Sequence, residues 1–407
     1  MPIIKTSEVV FRQDLYPRFE PNQANIQKYA NSIGYLPPIL VNQNNILIDG
    51  FHRWKAHQVA GVEDIKADVE QATENEVLIL AYRTNSHHGL QLSNEEKRKF
   101  AVSQCGALPV KEISEIISVS ERTVRGWTEN KRKELEEDRN NRILSDYLRA
   151  WNTQESIARN YDVERTTITK LIDNVKNGKI AEIHKDFKPL LYNIWNLQKQ
   201  DNAVDSHFGS FPQYFMENLL HYHTEPFDII FDPFAGGGTT VDACKKMYRR
   251  YYCTDRIVKP GREADILPHN INTILNYGKK VKKIDLAFLD PPYWKQAEGK
   301  YSNDIDDLGN MSLEDFNKSM AQIIKHLQDL KSKRVAIVIQ PTQYANKFKF
   351  EDHIFEFSKH FSSDYEIEMR YILPYSSQQY TPQCVNKAKE ENKCLVLNRD
   401  LVVWRRK

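Results

Sequence analysis

The sequence predicts a three-part chain, in which an α/β domain with a mostly parallel sheet follows an all-helical region and a small α/β domain. Three observations carry this. Beyond about residue 183 the apolar segments DIIFD, YYCTD, LAFLD and VAIVIQ alternate with helical stretches, as strands joined by crossover helices do. Between about Ser93 and Gly178 glycine and proline nearly vanish, and apolar residues recur at helical spacing. Ahead of that, PPILVNQNNILIDGFHRWKAHQVAG reads as strand, Asn-rich hairpin, strand and helix. The expected divisions are 1–92, 93–182 and 183–407.

The totals fit this plan. With 407 residues there is room for two or three hydrophobic cores. A formal charge of +2 is nearly neutral, so a nucleic-acid surface has to be local. Cys105, Cys244, Cys253, Cys384 and Cys394 form no CxxC pair, which argues against a disulfide framework or a zinc site. No apolar run approaches the length of a membrane span, and MPIIKTSEVV lacks the apolar core of a signal peptide. The expectation is a cytoplasmic protein with no membrane partner.

The N-terminal segment places Gly50-Phe51-His52-Arg53 at the turn from the second strand into a helix, with Arg18 upstream. It is similar to the N-terminal domain of ParB partition proteins, with these four residues in place of the usual Gly-x-x-Arg box. The resemblance implies a nucleotide bound by the loop and helix start, through Arg18, Gly50, His52 and Arg53, which suits phosphates at a helix N-terminus. It does not imply metal-supported hydrolysis, because TNSHHGL keeps Asn85 but lacks the family's Glu and Arg. Phe51 stands where the related sulfiredoxins carry their catalytic cysteine. His87-His88 has no carboxylate or cysteine at ligand spacing, so no metal is expected.

The helical region repeats one plan. Ile113, Ile116, Ile117, Val124 and Trp127 share a face in the first half, and Ile157, Ala158, Val163, Ile168, Leu171 and Ile172 share one in the second. A tight break at Val119-Ser120 separates the first pair of helices. SERTV and VERTT open the second helix of each pair, the position that faces the major groove in a helix-turn-helix. Arg122, Thr123, Arg125, Arg165, Thr166 and Thr167 are the candidates for phosphates and base edges of double-stranded DNA. The alternative is two helical hairpins that only pack.

In the last part, DIIFDPFAGGGTTVDACKKM ends a strand on Asp232 and enters a helix through Gly236, Gly237 and Gly238. Glycines there let the backbone approach a ligand closely. Thr239 replaces the Lys that a phosphate-binding P-loop requires. Asp255 ends the next strand about twenty residues on, where ribose hydroxyls are commonly held. LAFLDPPYW then ends another strand on Asp290, followed by Pro291, Pro292 and Tyr293.

Phe234, Gly236 and Gly238, followed by Asp290-Pro291-Pro292-Tyr293, resemble the S-adenosylmethionine-dependent amino-methyltransferases that modify adenine N6 or cytosine N4 in DNA. That resemblance covers roughly Tyr192 to Lys407 and implies a Rossmann-like class I methyltransferase sheet. By similarity, Asp232, Phe234, Gly236, Gly238 and Thr239 hold the amino-acid part of S-adenosylmethionine, Asp255 the ribose and Asp265 the adenine edge. The segment HFGSFPQYFMENLL, with Phe211, closes over the methionine end.

An exocyclic amine is a poor nucleophile because its lone pair is delocalised into the ring. Asp290 and the carbonyl of Pro291 can each accept one amine N–H, while Pro292 stiffens the turn and Tyr293 stacks on the base. The base must first leave the duplex. Cytosine C5 chemistry is excluded, since no cysteine follows a proline. Asp at position 290 favours adenine N6 by the family's habit, with cytosine N4 as the alternative. Methylation of RNA or a protein amide stays open, as does a ParB-like regulator with a retired methyltransferase fold. Expected partners are double-stranded DNA, a nucleotide at the ParB-like domain and a second copy of the chain.

Overall fold

The structure is a computed structural model that describes residues 2–17, 21–87, 92–178, 180, 185, 187–196, 211–269, 283–343, 349–375 and 380–407. Arg18 and His88 lie outside the described residues. The chain divides into two compact units, Met1–Arg139 and Asn140–Lys407.

The first unit opens with a four-stranded sheet, β1 (Ile3–Lys5), β2 (Ile39–Asn42), β3 (Leu47–Asp49) and β4 (Asp64–Glu70), in the order β1-β4-β2-β3. Asn42 makes the β2–β3 hairpin, its side-chain oxygen accepting the backbone N–H groups of Asn44 at 3.0 Å and Ile46 at 2.8 Å. Ile39, Val41, Leu47, Ile65 and Ala67 bury one face against Phe51 and Trp54 of the helix Phe51–Val59. A helical cluster follows, in which Ile113, Ile116, Ile117 and Val124 are buried and Trp127 packs against them. The helices Val110–Ile116 and Glu121–Trp127 meet across Ser118, which turns at φ +49°, slightly before the expected break.

The second unit begins with the repeat of that device. Helices Gln154–Asn160 and Arg165–Asn177 meet across Asp162 at φ +50°, and Ile157, Ile168 and Ile172 are buried with Ile143. Arg250 fastens this pair to the sheet by donating to the carbonyls of Tyr147 (2.8 Å), Ala150 (3.3 Å) and Asn152 (2.8 Å).

The sheet comprises β5 (Ile229–Asp232), β6 (Arg250–Asp255), β7 (Ile266–Pro268), β8 (Leu286–Leu289) and β9 (Arg334–Ile339), then, past a short β10–β11 ribbon (Thr342–Gln343 and Phe350–Glu351), β12 (Tyr365–Pro374) and β13 (Asn398–Arg406). Its order is β12-β13-β9-β8-β5-β6-β7, parallel from β9 to β7 and antiparallel on both sides of β13. This is the mixed α/β, Rossmann-like architecture expected. Helices cover both faces. Residues such as Phe231, Ala287, Ile337 and Val402 pack on the helix Leu313–Asp329, whereas Ile230, Cys253, Phe288, Val338 and Leu401 pack on the helices Gln213–His223 and Thr239–Lys246. Both neighbours of β5 are parallel to it, but the chain reaches β6 directly and β8 only later. The carboxyl ends of β5 and β8 therefore flank the point where the winding reverses, which is where open α/β sheets bind ligands. Among the described residues no helix is long and apolar enough to cross a membrane.

Candidate active site

Strand alternation builds the site. Side chains two apart point to the same face, and Asp232 continues the row of Ile230, Asp255 that of Cys253, and Asp290 that of Phe288. Three carboxylates from three strands thus leave the sheet on one side of one edge. They line a single cavity of about 400 Å³, together with Phe211, Phe234, Gly236, Thr239 and Pro292.

Each carboxylate also organises backbone. Asp232 accepts the Phe234 N–H at 2.9 Å and the Thr240 hydroxyl at 2.5 Å, which folds the glycine loop back on its strand. Asp255 accepts the N–H of Gly236 at 2.7 Å and of Ile257 at 3.0 Å. Gly238, at φ +91°, adopts a conformation that costs other residues about 1–2 kcal/mol. A Cβ there would stand 2.9 Å from the Arg262 Nε, and Arg262 is itself held by Asp242 at 2.7 and 2.6 Å. Gly238 shapes the loop from behind and does not line the cavity.

The cavity is lined by acids, Asp232, Asp255, Asp290, Asp306 and Asp307, together with Arg256, Lys259 and Lys300. Burial pushes the Asp232 carboxyl up to about 7, against its bonds to Thr240 and Phe234. Asp290 is likewise pushed up to about 7 by burial, with Arg399 opposing and Asp232 adding to the rise. Burial also raises Asp255. Asp232 and Asp290 are thus poised to change charge near neutral pH.

Several predicted residues sit elsewhere. Asp265 does not reach the cavity: its carboxylate accepts from Arg149 at 3.0 Å, Lys245 at 2.5 Å and Tyr251 at 2.7 Å. Burial pushes its carboxyl up, but these partners outweigh that and hold it below the usual range. It ties the helical pair to the sheet, so the adenine-edge role has no geometric support. Pro291 and Tyr293 are not among the residues that line the cavity. The Tyr293 ring packs on the core below the sheet, and its hydroxyl is buried with no hydrogen-bond partner among the described residues.

Other lining residues were missed. In the sequence, Lys295 to Asn310 reads as a loop that could share in target recognition, and in the fold its residues Lys300, Tyr301, Asp306, Asp307 and Leu308 line the cavity. Arg256, next to Asp255, pairs with Asp304 and, at 3.0 Å, with Asp306, and so anchors the loop. The run of acids in YSNDIDD after the Pro-Pro turn was the available signal.

The helix-turn-helix candidates are at the surface. Arg122 and Arg125 are exposed on the helix Glu121–Trp127, with Arg125 paired to Glu121 at 2.9 Å. Ser120 caps that helix through the Thr123 N–H, and its hydroxyl meets that of Thr123 at 2.8 Å. Arg165 pairs with Glu155 at 2.9 Å, the Thr166 hydroxyl donates to Glu164, and Thr167 is partly buried. In the N-terminal unit, Gly50 takes φ +99° before the helix Phe51–Val59. Arg53 is bound to Asp49 at 2.9 Å, and the His52 Nε2 accepts the Asn22 N–H at 3.0 Å, so both are engaged by the protein itself. No group of three or more His, Cys, Asp or Glu residues able to hold a metal occurs among the described residues.

Solved structures similar to parts of the chain include a C-terminally truncated ParB from Caulobacter crescentus complexed to its centromeric parS site (18% identity, 31% of this chain and 70% of that one, TM-score 0.26). A putative methyltransferase from Streptococcus mutans in complex with SAH is similar at 15% identity, over 49% of this chain and 100% of that one, with TM-score 0.27. A modification subunit of a putative type I restriction enzyme from Vibrio vulnificus is similar at 12% identity, over 81% and 57%, with TM-score 0.32. No curated protein matches. Residues 76–258 match the DNA methylase family that modifies N6 or N4 amines, a span that includes the glycine loop and Asp255 and stops short of Asp290. Residues 4–86 match the ParB N-terminal domain, so one chain carries a segment that matches the ParB N-terminal domain and one that matches the DNA methylase family.

Proposed function

We propose that the protein transfers a methyl group from S-adenosylmethionine to an exocyclic amine of a base flipped out of double-stranded DNA, adenine N6 in preference to cytosine N4. The observation that carries this reading is the single cavity that joins the glycine loop, Asp232 and Asp255 to Asp290. The residues fit the cofactor: Gly236 and Gly237 bring backbone to the cavity that Asp232, Asp255 and Asp290 line, and those carboxylates suit a cation. Asp232 and the loop hold the amino-acid end, Asp255 the ribose, and Phe211 closes over the methionine end. When bound, the cofactor supplies an electrophilic methyl on a sulfonium sulfur.

The rest is done by this chain. Asp290 and the Pro291 carbonyl each accept one amine N–H, which turns the nitrogen lone pair out of the ring plane and toward the methyl. Asp290 is the first acceptor for the proton the amine sheds. Burial excludes water and strengthens both bonds. The preference for adenine rests on Asp at position 290, by resemblance to the family.

Duplex DNA is favoured over RNA or protein because two helix-turn-helix pairs present Arg122, Thr123, Arg125, Arg165, Thr166 and Thr167, and because the matched family acts on DNA. On this reading residues 1–92 take a nucleotide, 93–182 bind DNA, and 183–407 carry the chemistry, with a homodimer on DNA. The test is transfer of labelled methyl to duplex DNA against RNA, followed by methylation-sensitive sequencing of DNA from cells that express the chain. Label in DNA at N6 of adenine in a fixed sequence context supports the reading. Label only in RNA or protein, or none, overturns it.

A further inference from the structure

The row of side chains that ends in the three carboxylates continues across the sheet. On β9 the row of Val338 runs on to Gln340, on β12 that of Leu373 runs on to Tyr375, and on β13 that of Leu401 runs back to Arg399. Because β13 is antiparallel to β9, with Asp400 opposite Ile339, its first residues arrive at the edge where the parallel strands end. Arg399 is therefore delivered to the carboxyl edge that carries Asp290, although it starts a strand.

Its guanidinium is held on two sides, 4.0 Å from the Phe211 ring centroid and 4.7 Å from that of Tyr375. Tyr375 is fixed in turn by donating its hydroxyl to the Gln340 Oε1 at 2.8 Å. The Arg399 Nε is buried with no hydrogen-bond partner among the described residues. A buried donor left unpaired costs about 1–3 kcal/mol, so aromatic packing alone does not account for an arginine here.

We propose that Arg399 is a positioning residue of the methyl-transfer site, clamped between Phe211 and Tyr375 so that its charge holds Asp290 as the anionic acceptor of the target amine. This rests on the methyl-transfer reading above. The groups facing Asp290 are Asp232 from β5, Tyr293 from the following turn, Tyr301 from the lining loop, Tyr375 from β12 and Arg399 from β13. Burial and Asp232 both favour the protonated acid, and Arg399 is the cation that opposes them. A neutral acid presents a weaker acceptor and cannot balance the positive charge that grows on the amine, so the ionised form is the competent one.

The experiment follows the Asp290 carboxyl itself. Full-length protein carrying ¹³C-labelled Asp carboxyls is titrated by NMR, with Asp290→Asn identifying the signal, in wild type, Arg399→Met and Arg399→Lys. Arg399→Met should raise the midpoint by about one pH unit or more, and Arg399→Lys, which keeps the charge, should leave it near wild type. The acid limb of kcat for methyl transfer should move alkaline by the same amount in Arg399→Met, with the rate recovering at high pH. An unmoved midpoint in Arg399→Met, or an equal shift in Arg399→Lys, overturns the assignment and leaves Arg399 a packing residue. If the midpoint moves as expected but wild type methylates no DNA, the methyl-transfer reading fails and the electrostatic role of Arg399 stands.

Discussion

Replacing Asp290 by Asn should stabilise the folded protein while it stops methyl transfer. The substitution keeps shape and removes charge. In the fold the Asp290 carboxyl is pushed up to about 7 from an ordinary 3.8, chiefly by burial. A carboxyl raised in this way binds its proton more tightly in the native state than in the unfolded chain. The stability associated with it is complete below the unfolded value and is lost as pH rises through the folded value. Roughly three pH units at about 1.4 kcal/mol each set a ceiling of about 4 kcal/mol, and local relaxation brings the expected gain to about 2–4 kcal/mol. Urea unfolding of the two proteins should show Asp290→Asn the more stable by that amount at a pH of about 8.5, with the difference shrinking toward zero as pH falls to about 4. Cofactor affinity should stay within a few-fold. A gain that is the same at both pH values, or a loss at high pH, would show that Asp290 ionises without cost and refute the reasoning. Methyl transfer retained within about tenfold would remove Asp290 from the amine clamp.

Three other perturbations test the remaining parts. Asp255→Ala strips the acceptor from the Gly236 and Ile257 N–H groups and should weaken S-adenosylmethionine binding by roughly 1–3 kcal/mol in titration calorimetry; an unchanged affinity places the ribose elsewhere. Arg250→Met removes the hydrogen bonds to the carbonyls of Tyr147, Ala150 and Asn152 and should cost about 2–4 kcal/mol in denaturant unfolding. By the same token a fragment beginning at Asn140 should unfold cooperatively and one beginning near residue 184 should not, and equal stability of the two would show the helical pair to be dispensable. Arg122→Ala or Arg165→Ala should weaken DNA binding. Removing an arginine that binds phosphate lowers the salt slope by about one for every sequence, whereas removing one that reads a base relaxes preference at one position; wild-type binding at all salt concentrations would make the helical region a spacer.

Much of this architecture was written locally. DIIFD, YYCTD, LAFLD and VAIVIQ could be read as strands because short apolar runs bounded by turn residues have few other stable uses, and each became a strand of the parallel sheet. The inward faces of both helical pairs were legible for the same reason, since Ile113 and Val124, or Ile157 and Ile168, share a face whatever they pack on. The glycine loop and Asp290-Pro291-Pro292-Tyr293 stood out because strand-end acids followed by Gly-rich or Pro-rich turns are local signals.

What tertiary structure decided was pairing between distant segments. Asp265 looks the same in sequence whether it meets a ligand or a protein cation, and only the fold brings Arg149 and Lys245 to it. The loop after the Pro-Pro turn could face DNA or the cavity until Arg256 drew its acids inward. Arg399 carried no local mark at all. It reaches the edge that carries Asp290 because β13 runs antiparallel to β9, and that pairing between distant segments is a property of the assembled sheet that no single segment contains.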